Sequence, residues 1–199
     1  MQSSHSRPLI VGIGGTTRTG STSELALRTT LQYAETLGSD THIFAGLDLP
    51  FEMFDPTKNS RNVVAKNMID ALRLADGIVI ASPAYHGSIS GLIKNAIDYT
   101  EDMRNDDRPY FMNRAVGLIV CADGAQAMGA TLAGMRAMVH ALRGWPTPYA
   151  ATINSTIKPF GVNGQSPTPE TLSACQLVAK ELVQMAIMLK DGAMSTQSA

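Results

Sequence analysis

Apolar residues recur along this chain in two periods. Short, charge-free, β-branched runs alternate with longer stretches in which apolar positions return every three or four residues. Residues 9–14 (LIVGIG), 41–46 (THIFAG), 78–81 (IVIA), 115–121 (AVGLIVC) and 149–153 (YAATI) have strand character. The run at 78–81 has no polar alternation and reads as a strand buried on both faces. Helical spacing occupies 23–37, 62–75 (through Val63, Val64, Met68, Ala71 and Leu72), a stretch from 91 (through Leu92, Ile93, Ala96, Ile97 and Met103), 130–142 and 168–190. The last of these opens on Thr168-Pro169-Glu170, an N-cap residue followed by proline at the first helical position. Five strands alternating with five helices predict a doubly wound α/β fold around a parallel sheet. With right-handed crossovers the strand order is 2-1-3-4-5, and the switch point lies between the first and third strands.

The loops leaving those two strands carry the candidate chemistry. After the first strand comes Gly15-Thr16-Thr17-Arg18-Thr19-Gly20-Ser21-Thr22-Ser23, a glycine and hydroxyl loop feeding a helix N-terminus. Backbone N–H groups, hydroxyl donors, the positive end of the helix dipole and Arg18 make this an anion site. Ser21 with Glu24 also spells a capping box, which is compatible with an anion site. A Walker A loop is excluded because Ser21 occupies the lysine position and no later apolar strand ends in aspartate. A dinucleotide fingerprint is weak too: Thr17 replaces its third glycine, and Asp48 comes late for a ribose ligand. After the third strand, Ser82-Pro83 is expected to end the ladder, because proline has no N–H to give. The loop that follows gathers Tyr85, His86, Gly87 and Ser88, more chemistry than a plain connection requires. The fourth strand likewise ends in a glycine-rich loop, 122–129.

Composition narrows the classes. The 199 residues, 44% of them hydrophobic, suit one domain over 1–199, with 1–8 and 191–199 as tails. A formal net charge of −1 leaves no basic footprint for nucleic acid. Cys121 and Cys175 stand far apart in no metal-type spacing, the four histidines form no HxxxH pair, and no metal site is expected. No run approaches the ~18 apolar residues of a membrane span and no signal-peptide core is evident, so a cytoplasmic location is expected. The loop at 48–60 offers Phe51, Met53 and Phe54 to a pocket or a partner.

On these loops the chain resembles the NAD(P)H-dependent FMN reductase family of flavodoxin-like proteins, over about residues 9–155. The family's phosphate loop has the pattern G-S-x-R-x-x-S-x-N; here Thr16 stands for the first serine and Ser23 for the asparagine. The second pattern, S-P-x-Y-x-G-S-x-x-G-x-L-K-N-x-x-D, is met from Ser82 to Asp98 with Ile93 for leucine. The resemblance implies a flavodoxin-like three-layer sandwich with a five-stranded parallel sheet of order 2-1-3-4-5. It implies FMN held at its phosphate by Thr16, Arg18, Ser21, Thr22 and Ser23. Pro83, Ala84, Tyr85, His86, Gly87 and Ser88 would then lie beside the isoalloxazine, with Asp123 and Gly124 closing one edge. Lys94 and Asp98 are read instead as an i,i+4 pair on a helix face.

The implied activity is hydride transfer from NADPH or NADH to FMN and on to an acceptor, with a flavin-dependent monooxygenase as one recipient. Such chemistry needs no protein nucleophile and no catalytic side chain. Two alternatives stay open: a quinone, azo or metal-oxyanion reductase of the same fold, and a flavodoxin-type electron carrier, which the near-neutral charge disfavours. A homodimer or homotetramer is implied by the resemblance. The proximity of Tyr85, Met103, Tyr110, Phe111 and Met112 to one sheet end is expected to supply the interface.

Overall fold

The computed structural model describes residues 7–161, 164 and 166–196. In chain order its elements are β1 (Leu9–Gly14), α1 (Thr22–Thr36), β2 (Asp40–Ala45), α2 (Val63–Leu74), β3 (Gly77–Tyr85), β4 (Ser88–Ile89), α3 (Gly91–Asp98), β5 (Ala115–Ala122), α4 (Ala125–Ala141), β6 (Trp145–Pro146), β7 (Ala151–Asn154) and α5 (Pro169–Thr196). Short 3-10 turns occupy Gly46–Asp48 and Tyr99–Met103. The sheet runs β2-β1-β3-β5, with β6 and β7 both parallel to β5 beyond it. The fifth position of the expected order is therefore filled by two short pieces rather than one strand.

Strand geometry sends alternate side chains to opposite faces, and each face finds its own helices. Ile78, Ile80, Val116, Leu118 and Val120 pack with Met68 and Leu72 of α2, Ile93 and Ala96 of α3, and Met135 and Val139 of α4. Val79, Ala81, Ile119 and Cys121 pack with Leu27 and Leu31 of α1 and Val178 and Leu182 of α5. This produces three layers. Helix α5 is long and apolar enough to cross a membrane by length and composition. Its residues Cys175, Val178, Ala179, Leu182, Val183 and Ala186 are buried against the sheet and α1, which makes it a core helix.

The third strand does not stop at Ser82. Ala81 gives its carbonyl to the Gly15 N–H (3.3 Å), so that backbone edge of β3 faces β1. Pro83, two residues on, presents the same edge after β1 has ended at Gly14. The absent N–H thus falls where no strand lies, while Ser82 and Pro83 stay in register with Val120 and Cys121 of β5. Helix α4 also begins earlier than expected, at Ala125, so most of the expected 122–129 loop is its first turns. Ala125, Gln126, Ala127 and Met128 are strong helix formers, and together they outweigh the roughly 1 kcal/mol that Gly129 costs in a helix.

Several expected surface features prove structural. Met103 and Phe111 are fully buried, and residues 110–112 precede β5, at the end of the sheet opposite Tyr85. The expected aromatic and methionine interface is therefore not one patch. The loop after β2 is tied down: Asn95 accepts from the Phe54 N–H (2.8 Å) and donates to the Pro50 and Glu52 carbonyls (2.9 Å each). Arg61 forms a bidentate pair with Asp102 (2.8 Å twice) and lies over the Phe54 ring. Of the expected tails, 1–6 and 197–199 lie outside the described residues. Arg7 is bonded to the Ser39 carbonyl (2.9 Å), and α5 continues helical to Thr196.

Opposite the ligand end, Arg114 is the largest fully buried side chain. Its guanidinium donates to the carbonyls of Arg73 (2.8 Å) and Ala75 (3.2 Å), which close α2. It also reaches those of Tyr110 (3.0 Å), Met112 (3.2 Å) and Arg108 (3.4 Å). Burial, and then the charge of Arg108, pull its pKa down to about 10. One planar donor set thus reaches five carbonyls, of which that of Ala75 also accepts from Arg108 (3.1 Å). Arg114→Met is expected to lower stability by about 3 kcal/mol or more, since it strands several buried acceptors at once. Urea denaturation should show this as a fall in midpoint at unchanged slope, with Arg114→Lys recovering only part of the loss.

Candidate functional site

The cleft forms because β1 and β3 part company. At Gly14 the two strands are so close that a Cβ would meet the Ala81 carbonyl oxygen at 2.7 Å and the Ala81 Cβ at 2.8 Å. Immediately beyond, the chain leaves the sheet at Gly15 (φ 90) and loops round to α1, while β3 runs on to Tyr85. The opening between these loops and the end of β5 is a cleft of about 350 Å³.

On the α1 side its walls are Thr16, Arg18, Ser21, Thr22 and Ser23. Half of the expected capping box is formed: Ser21 Oγ accepts from the Glu24 N–H (3.4 Å), while the Glu24 carboxylate reaches past Ser21 to the Gly20 N–H (3.0 Å), the Ser21 N–H being taken by the Arg18 carbonyl (3.3 Å). Glu24 is buried, and Arg28 one turn on pairs with it at 2.9 Å, so its negative charge is offset within the helix. The Thr16 hydroxyl accepts from the Arg18 N–H (3.0 Å) and donates to the Arg18 carbonyl (3.2 Å), which shapes the loop. The N–H groups of Thr22 and Ser23, in the first turn of α1, and the Arg18 guanidinium have no hydrogen-bond partner among the described residues. This is a donor-rich, anion-receptive helix end.

On the other side stand Pro83, Ala84, Tyr85 and His86, facing Cys121, Ala122, Asp123, Gly124 and Ala127, with Ser155 completing the wall. The segment from Ser82 to Ser90 is a staple carrying a hairpin. The buried Ser82 Oγ accepts from the Ser90 N–H (3.0 Å) and donates to the Pro83 carbonyl (2.8 Å). Ser90 in turn caps α3, accepting from the Ile93 N–H (3.3 Å). Between them Tyr85 pairs with Ser88 across β3 and β4, leaving a two-residue tip, His86 (φ 54) and Gly87 (φ 79). Two successive left-handed residues are the signature of a type I′ turn. Tyr85 is 56% exposed at the rim. Lys94 and Asp98 form the expected pair on α3.

Eleven of the thirteen residues expected at the site therefore line one cleft. Gly87 and Ser88 do not. A Cβ at Gly87 would meet nothing within 4 Å, so its glycine answers the turn's φ rather than a close approach in the cleft. Cys121, Ala122, Ala127 and Ser155 were not anticipated. Cys121 and Ala122 end β5, and Ser155 follows the last residue of β7, so the rule that ligands sit at strand carboxyl ends would have found them. Burial pushes the Cys121 and Cys175 thiols up, so both remain neutral. The cleft can hold an anion at one end and a flat, partly apolar group at the other.

A parallel sheet with a hydroxyl-lined loop at its switch point defines the flavodoxin-like class of α/β proteins. Within it, this chain belongs to the NADPH-dependent FMN reductase family, whose profile matches residues 8–157. It is 30% identical over 144 residues, 70% of this chain and 72% of the relative, to an FMN-dependent NADPH-azoreductase of Staphylococcus aureus. Among solved structures it is similar to the apo form of the NADH:FMN oxidoreductase EMOB (TM-score 0.67, 18% identity, 89% of each chain). It is also similar to FerB, a NAD(P)H:(acceptor) oxidoreductase of Paracoccus denitrificans (TM-score 0.71, 19% identity, 90% of this chain and 97% of that one). These two likenesses concern the fold. The family makes the protein an NAD(P)H-dependent flavin oxidoreductase with FMN as its flavin.

The hairpin tip gives a direct test of the backbone argument. Gly87→Ala should lower stability by about 1–2 kcal/mol, the penalty for a Cβ in the left-handed region. His86→Asn should hold or raise it, since asparagine is favoured there. Thermal melts would check both, with Gly134→Ala on α4, where a Cβ meets open space, as a control expected to gain up to about 1 kcal/mol.

Proposed function

We propose that the cleft between the 15–23 loop and the β3–β4 hairpin is where FMN binds, and that the enzyme reduces it with NAD(P)H there. The observation that supports this best is the coincidence, in one cleft, of helix N-terminal N–H groups and an Arg18 without partners among the described residues at one end and the Pro83–His86 wall at the other. The residues fit the group: Arg18, Thr22 and Ser23 would take the phosphate, with the Glu24 charge offset by its pair with Arg28. Pro83, Ala84 and Tyr85 would lie along one side of the ring, with Asp123 and Gly124 at its edge. FMN, when bound, supplies the ring nitrogen that accepts a hydride from nicotinamide and passes the electrons on.

The protein's share of the work is positioning. The loop ahead of α1 would hold the phosphate, and the stapled hairpin would give the ring a rigid wall to rest against. Tyr85 and His86 at the rim leave one side of the cleft open for nicotinamide and then for the acceptor. For the acceptor, the azoreductase relative favours an azo compound as strongly as the family description favours free flavin. A flavin-dependent monooxygenase as recipient, and a homodimer or homotetramer as the working form, enter through the family resemblance. A cytoplasmic location fits the two free thiols.

Titration of apoprotein with FMN should saturate at one site per chain, and riboflavin should bind more weakly because it lacks the phosphate. Arg18→Ala should weaken FMN by about 1.5–3 kcal/mol and leave riboflavin unchanged. Equal affinity for FMN and riboflavin in the wild-type protein would sink the phosphate assignment. Anaerobic NADPH or NADH should bleach the bound flavin without a protein partner. Steady-state rates with FMN, an azo dye, a quinone and ferricyanide as rival acceptors would then rank the electron acceptors by kcat/KM.

A further inference from the structure

The hairpin tip carries a group that the fold does not use. His86 and Gly87 are the two corners of the type I′ turn, and such a turn prefers asparagine, aspartate or glycine at its first corner. Nothing in the backbone calls for an imidazole there. His86 is exposed, lines the cleft beside Tyr85, and has no side-chain hydrogen-bond partner among the described residues.

Reducing an organic acceptor by two electrons takes a proton as well as a hydride. The ionisable side chains of the cleft wall are Arg18, Tyr85, His86, Cys121 and Asp123. Arginine does not release its proton. Burial pushes the Cys121 thiol up, so it keeps its proton too. Of the side-chain types that remain, imidazole is the one that both takes and gives a proton near neutral pH, where a general acid works best. The elements beside the hairpin add little charge. Lys94 of α3 is paired with Asp98, and α4 has no charged side chain before Arg136, which is bonded to the Thr147 and Pro148 carbonyls.

We propose that His86 is the general acid that protonates the electron acceptor, which makes compounds taking up two electrons and two hydrogens, quinones and azo compounds, the acceptors this cleft suits. The proposal rests on the reading that FMN occupies the cleft and deepens it by naming the acceptor class. The acceptor receives a hydride, whose source is NAD(P)H, and this forms one O–H or N–H bond. The imidazolium N–H bond breaks, and its proton forms the second such bond on the other oxygen of the quinone or the other nitrogen of the azo group. The products are a hydroquinone or a hydrazo compound, and the imidazole recovers its proton from solvent. Two electrons and two hydrogens are thereby accounted for, with no further oxidant or reductant.

The test is anaerobic oxidation of the FMN-loaded, NADPH-reduced enzyme by a benzoquinone, an azo dye and ferricyanide in turn. Wild type is compared with His86→Asn and His86→Gly, both of which suit left-handed backbone. Ferricyanide takes an electron and no proton, so it reports whatever His86 does for access or for holding the flavin. The ratio of the quinone or azo rate to the ferricyanide rate should fall at least about tenfold in both variants. Imidazole in the buffer should restore part of that ratio in His86→Gly. In wild type the ratio should fall as pH rises, with the midpoint at which the His86 ring titrates by NMR in the reduced enzyme; its resonance is identified by its absence from His86→Asn. The variants should lose that pH dependence. An unchanged ratio in both variants, a pH dependence that persists in His86→Asn, or an NMR midpoint more than about one pH unit away would overturn the proposal. Failure of wild type to bind FMN would remove the cleft assignment and this role with it, and is told apart because it shows before any acceptor is added.

Discussion

The ligand end of this molecule depends on where two adjacent parallel strands stop. β1 ends at Gly14, pressed so closely on β3 that no side chain fits between them, and β3 then continues alone on that side. A parallel sheet whose neighbouring strands end together would present a flat rim. Here the unequal ends leave a notch one strand wide, with backbone polar groups of β3 facing it. Proline at position 83 suits that notch because it removes the one donor that would otherwise point into it unsatisfied. The helix dipole of α1 and the stapled hairpin then act across a gap whose width the sheet has already set.

The two ends of the sheet solve different problems. At the amino ends of the strands, Arg114 gathers carbonyls from α2 and from the segment before β5, and Lys190 of α5 meets Asp76 just ahead of β3 at 2.8 Å. These contacts close the fold. At the carboxyl ends, donors are underused: the first N–H groups of α1 and the Arg18 guanidinium have no partner among the described residues. Stability is concentrated at one pole and binding capacity at the other, the division that lets doubly wound folds vary their loops without losing their core.

Much of this was legible in the sequence, because it depends on local pattern. Charge-free β-branched runs marked the buried strands, Ser21 with Glu24 the start of α1, Thr168-Pro169 the start of α5, and Lys94 with Asp98 a helix face. The features that escaped depend on a neighbour far away in sequence. Whether Pro83 ends a strand turns on where β1 stops, and Ser155 enters the cleft only because β7 lies beside β5. Arg114 reads as a charged flank of an apolar run until the end of α2 is placed over it. Gly87 carried two meanings in sequence, close approach or turn, and only the φ of its own backbone separates them.

The hairpin between Ser82 and Ser90 is closed at its base by a side chain bonded to backbone, not by its tip. A base-closed loop is modular: its two halves stay together whatever joins them. The residues beyond Tyr85 could be exchanged or lengthened over generations while β3 and α3 keep their places. Relatives that share this sheet and phosphate loop could thus diverge in the compounds they reduce by rewriting a few residues at the rim. That gives natural variation, or an engineer, a small region in which to redirect electrons without refolding the protein.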